Sequence, residues 1–106
     1  MLKLASFMLL MGYLNGHANT GDKVLGEALF KKCVSCHGAD GLGKPSQKAP
    51  MLAGQYAWYI ESQIKNIQSG VRSNENTKKM VPFVKNLTEK EIADLAAYIE
   101  SLPYKK

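Results

Sequence analysis

Cys33-Val34-Ser35-Cys36-His37 is the stretch on which the reading of the whole chain turns. Two thiols three positions apart can each add across a vinyl group of haem to form a thioether. The histidine beside the second thiol then points its imidazole at the iron. Attachment of this kind lets a small protein keep haem without a large enclosing pocket. Zinc suits the residues less well, because a structural zinc site takes four ligands from Cys, His or carboxylates. The chain has two cysteines and two histidines, with no second cysteine pair. A thiol–disulfide exchange enzyme sets Cys-x-x-Cys in a βαβ context, and no strand-period segment appears here. A disulfide between Cys33 and Cys36 closes a loop too small to stabilise much. The motif therefore predicts one covalent haem c on Cys33 and Cys36, with His37 on the metal.

Outward from the motif the pattern is helical on both sides. Asp22 to Lys32 reads as a helix capped by Asp22, with Val24, Leu25, Ala28 and Leu29 recurring at three- and four-residue spacings. Gly26 inside it costs about 1 kcal/mol relative to alanine, which suggests a close crossing by another helix, with Phe30 packing one turn on. Residues 38–50 (GADGLGKPSQKAP) form a loop rich in Gly and Pro, long enough to suggest a functional role. Residues 55–69 form a second helix whose expected buried stripe is Tyr56, Tyr59, Ile60, Ile64 and Ile67, stopped by Gly70. Residues 72–79 read as polar loop and 81–86 as a short helical turn. Thr88-x-x-Glu91 is a capping box that opens a last helix carrying Ile92, Leu95, Ala96, Ile99 and Leu102, stopped by Pro103. The fold class is all-α.

The N-terminus reads as an export signal. Lys3 precedes an apolar run from Leu4 to Leu14, and Gly16-His17-Ala18 supplies small residues for cleavage after Ala18. The run is too short for a permanent helical anchor, which needs about 20 residues. The expected division is a signal peptide at 1–18 and a single domain at 19–106, without a membrane span in the mature chain. Across 106 residues, 14 Lys and Arg stand against 9 Asp and Glu, a formal charge of +5. Arg72 is the single arginine and no basic run occurs, so nucleic-acid binding is a poor explanation of that charge.

An electron-transfer haem needs a second axial ligand, commonly a methionine thioether. Beyond the signal only Met51 and Met80 remain. Met51 follows Pro50 directly and is poorly placed for the far face of the haem. Met80 lies in the polar loop, and position alone leaves it open between ligand and core filler. Arg72 is a candidate for a haem propionate, since its planar fork suits a carboxylate, or simply an exposed loop residue. Trp58, Tyr56 and Tyr59 read as pocket wall or as core. Lys44, Lys48, Lys78, Lys79 and Lys85 cluster in the two loops expected beside the haem edge, where they either steer acidic partners or make a solvated face.

Taken together these features resemble a class I cytochrome c, and within it the short bacterial periplasmic forms and single domains of the two-haem type. The likeness rests on Gly26-x-x-x-Phe30, Cys33-x-x-Cys36-His37-Gly38-Ala39-Asp40-Gly41 and Pro50-Met51-Leu52-Ala53-Gly54-Gln55. The Gly70/Arg72 loop, Met80 eight residues before Thr88, and Leu95-Ala96-Ala97-Tyr98 extend it over nearly all of the domain. The resemblance implies a compact cytochrome c fold with first and last helices crossing at Gly26, where Phe30, Leu95 and Tyr98 pack. It implies Met80 as distal ligand, and the Pro50 carbonyl as acceptor for the free ring nitrogen of His37. The function expected is a periplasmic one-electron carrier, not an enzyme, serving redox proteins as donor and acceptor. The rivals are a haem subunit of a larger oxidoreductase and a small-ligand sensor with an open sixth position. A thiol-exchange protein is the reading without haem.

Overall fold

A computed structural model describes residues 21–104. The expected signal peptide at 1–18 lies outside the described residues. Among the described residues six α-helices follow one another: α1 Lys23–Phe30, α2 Val34–His37, α3 Ala57–Ser69, α4 Glu75–Lys78, α5 Val81–Val84 and α6 Glu89–Ser101. Among the described residues the extended pairing is confined to one isolated bridge between Lys44 and Ala49.

The frame is the crossing of α1 on α6. Asp22 caps α1, its carboxylate accepting from the backbone N–H groups of Val24 and Leu25 at 2.8 and 3.2 Å. The helices meet so closely at Gly26 that a Cβ there would overlap the carbonyl oxygen of Asp94 and lie 2.8 Å from Cβ of Tyr98. One turn on, the rings of Phe30 and Tyr98 pack at 5.3 Å between centroids. Asp94 is buried, and its carboxylate accepts from the Asp22 N–H at 2.7 Å and from Lys90 Nζ at 2.8 Å. The start of α1 is thereby fastened to the middle of α6.

This crossing corrects the expected face of α1. Val24 and Leu25 are 76% and 49% exposed, and Ala28 is exposed as well. A helix buries one stripe, and here the absent side chain of Gly26 sets it, so the contact runs through Gly26, Leu29, Phe30 and Cys33. Val24, Leu25 and Ala28 occupy the other side.

α3 completes the core. Ala57, Ile60, Ile64 and Ile67 are buried with Ile92, Leu95, Ala96 and Ile99 of α6. The Ala57 N–H donates to the Glu100 carboxylate at 2.6 Å, docking the start of α3 on the end of α6. Tyr56 and Tyr59, expected in the buried stripe, are instead 64% and 40% exposed. Tyr56 precedes the helix as its N-cap, and Ala57 takes the buried position. At its other end α3 stops at Gly70, which adopts φ +80°, a conformation that suits glycine.

The capping box of α6 is present in both halves: Glu91 N–H donates to Thr88 Oγ1 and Thr88 N–H donates to Glu91 Oε1, each at 3.1 Å. Residues 72–79, expected as loop, contain α4. Asn74 caps it, accepting from the Thr77 N–H at 2.8 Å.

Candidate functional site

The loop after α2 is built as a return path. The Gly43 N–H donates to the His37 carbonyl at 2.7 Å, the Leu52 N–H donates to the Gly41 carbonyl at 2.7 Å, and a 3₁₀ turn at Pro45–Gln47 closes the far end. Gly43 has φ +87°, and a Cβ there would lie 2.8 Å from the Ala49 carbonyl oxygen, so the chain must pass itself without a side chain at that point. The result brings residue 50 back to residue 37. His37 is 4% exposed, and its Nδ1 lies 2.8 Å from the Pro50 carbonyl oxygen. Because that oxygen only accepts, Nδ1 carries the proton and donates, which leaves Nε2 with a free lone pair. That contact fixes the ring in orientation and tautomer.

Cys33, Cys36, His37 and Met80 all line one cavity of about 520 Å³. Ile60, Ile64 and Ile67 of α3 and Leu95 and Ile99 of α6 give it an apolar interior. Met80 sits at the start of α5, its N–H donating to the Thr77 carbonyl and its own carbonyl accepting from Phe83, each at 2.9 Å.

Cys33 is not poised as a nucleophile. Both thiols are half-buried. Burial pushes the Cys33 thiol up to about 11, against the opposing pull of the Lys32 charge. Exchange chemistry needs a readily formed thiolate, and this environment opposes one. Zinc fares no better: among the described residues no group of three or more His, Cys, Asp or Glu side chains is arranged to hold a metal ion by itself.

The lining also has a sign. Lys32, Lys48, Arg72 and Lys79 contribute to it, and no carboxylate does. A volume within the usual range for cofactor pockets, an apolar interior, a buried imidazole, two thiols, a thioether and a cationic rim suit haem, which is flat, apolar and dianionic at its propionates.

The other residues singled out from sequence fall on either side of this boundary. Arg72 lines the cavity, is exposed, and donates to Gln63 Oε1 at 3.0 Å. Tyr59 and Met51 line it, whereas Tyr56 and Trp58 do not. Those two rings stack on each other at 6.2 Å on the outside of α3. Of the five loop lysines, Lys48 and Lys79 reach the lining, and Lys44 Nζ donates to the Ser35 carbonyl at 3.2 Å. Gln68 escaped the sequence reading. Its amide donates to the carbonyls of Val84 and Leu87, and a lone polar residue beside an apolar stripe gives no signal of that kind.

A family profile described as cytochrome c matches residues 24–103. The chain belongs to the cytochrome c family. It is 43% identical over 81 residues to cytochrome c-554(548) of Halomonas halodenitrificans, covering 76% of this chain and 96% of that protein. To cytochrome c4 of Pseudomonas aeruginosa it is 38% identical over 99 residues, 92% of this chain and 47% of that one. A crystal structure of reduced cytochrome c4 from Pseudomonas stutzeri superposes with a TM-score of 0.68 at 28% identity, covering 76% of this chain and 48% of that one. The chain thus spans nearly all of cytochrome c-554(548) and about half of each cytochrome c4 it matches. This cytochrome is of the bacterial periplasmic class I type, with covalent haem c as its cofactor and electron transport among redox partners as its work. No helix among the described residues is long and apolar enough to cross a membrane.

Proposed function

We propose that this cytochrome is a single-haem, one-electron carrier acting in the periplasm after residues 1–18 are removed. Cys33 and Cys36 form the thioethers, His37 and Met80 are the axial ligands, and Arg72 meets a propionate. Convergence of those two thiols, one imidazole and one thioether on a single cavity is the observation that carries this reading. The haem supplies a one-electron couple when bound. The chain's own part is to orient, exclude and tune. His37 is held through Pro50, which makes its Nε2 a stronger donor. The buried isoleucines keep water from the interior, and the soft Met80 sulfur favours the ferrous state. The cationic rim offsets the propionates and faces acidic docking surfaces on donor and acceptor. No bond-making on a substrate is asked of any residue.

Met80 in the lining favours the carrier over a sensor with an open sixth position. The ferric spectrum tests this directly. A weak thioether-to-iron band at the red end, abolished in Met80→Ala, is expected. A high-spin spectrum indifferent to that substitution makes the protein a ligand-binding domain. A second reading, a haem unit working inside a larger assembly, is favoured by the half-length match to cytochrome c4. Sizing of native extracts separates a free shuttle from a fixed subunit.

A further inference from the structure

The segment that carries Met80 has little to hold it in place by itself. α5 has four residues, Val81–Val84, with Pro82 in its first turn. A helix so short has no stability of its own, and its last carbonyls need partners from elsewhere. Beyond the Leu87 N–H, which donates to the Val84 carbonyl at 3.1 Å, Gln68 on α3 supplies two further bonds. Its Nε2 donates one hydrogen to the Val84 carbonyl at 2.8 Å and the other to the Leu87 carbonyl at 2.9 Å. Val84 itself is 3% exposed, packed in the core. α3 is also the helix whose Ile60, Ile64 and Ile67 line the cavity. One side chain therefore ties the interior of the haem cavity to the segment immediately behind Met80.

We propose that Gln68 is a positioning residue for Met80: it latches α5 to α3 and so holds the methionine sulfur at the iron. The inference rests on the reading of Met80 as axial ligand. For the thioether to leave the iron, the segment around Met80 must swing away from α3, and that swing strains or breaks both amide hydrogen bonds. At the other end the Arg72 N–H donates to the Asn66 carbonyl of α3 at 3.0 Å, so residues 72–87 behave as a strap fastened to α3 at both ends with Met80 near its middle.

Imidazole titration of the ferric haem-loaded protein reads the latch, because imidazole binds only after the thioether has left. Gln68→Ala is expected to raise imidazole affinity about tenfold, the effect of losing two hydrogen bonds of ordinary net strength. The red thioether band should also fade at a lower temperature, while loss of helix on heating moves less. Gln68→Asn, one methylene too short to reach both carbonyls, is expected to shift both readouts in the same direction by a smaller amount, and serves where the alanine variant matures poorly. Variants that lose helix earlier yet bind imidazole as the wild type does would make Gln68 ordinary structure and overturn the latch. Failure of the ligation reading looks different: the wild type then shows no red band, and Met80→Ala leaves imidazole binding unchanged.

Discussion

Gly26 shows how much a single residue can decide in this molecule. A Cβ at that position would overlap the Asp94 carbonyl oxygen, and backbone cannot step aside as a side chain can. Gly26→Ala should therefore destabilise the haem-loaded protein by about 3 kcal/mol, read as a lower midpoint in denaturant unfolding. A value near zero would mean the helices do not cross where described. Asp94 makes a second, pH-dependent claim. The Asp22 N–H first, and then Lys90, hold its carboxyl below the usual 3.8. The unfolded chain then takes up that proton at a higher pH than the folded one. The stabilisation is full above the ordinary carboxylate value and is lost as pH falls through the lower folded one. Unfolding measured over pH values below about 5 should show the gap between wild type and Asp94→Asn closing as pH drops. A gap that stays constant would mean the carboxylate's charge contributes nothing. Cys33, Cys36 and His37 stood out in sequence as candidates because the proposed haem attachment is local chemistry, complete within five residues. The environment of His37 was visible only through a resemblance, since the Pro50 contact depends on a thirteen-residue return that no local pattern encodes.

At the scale of elements, legibility followed the strength of the local signal. α6 announces itself by a capping box and an unbroken apolar stripe, and both are present. Thr88→Ala should cost about 1 kcal/mol, checked by thermal unfolding, and the loss should be the same at low and high salt because the cap is a hydrogen bond rather than an ion pair. α1 misled because apolar residues sit on both of its sides, and propensity says nothing about which side a neighbour will cover. The stacked Tyr56 and Trp58 misled similarly: aromatic residues at the start of a helix read as core, yet the small Ala57 is what fits beneath α6's end. α4 was missed because four residues are too few to show a period, although Asn74 three residues before Thr77 was a usable capping cue.

For the molecule as a whole, fold and cofactor follow from how the helices surround one cavity, and function follows from what lines it. A positively charged mouth without a carboxylate should attract anionic redox partners. Reduction by an anionic reagent, followed by stopped flow, should slow as salt rises. Lys48→Glu with Lys79→Glu should slow it about threefold or more at low salt, with the difference shrinking at high salt. Rates indifferent to both charge and salt would remove the docking role from that rim. The reading as a whole depends on a bond between chain and porphyrin. The most direct test is the intact mass, under denaturing conditions, of the exported and matured protein. The expected value is that of residues 19–106 plus one haem that denaturant does not strip away. A mass equal to the bare polypeptide would contradict the account.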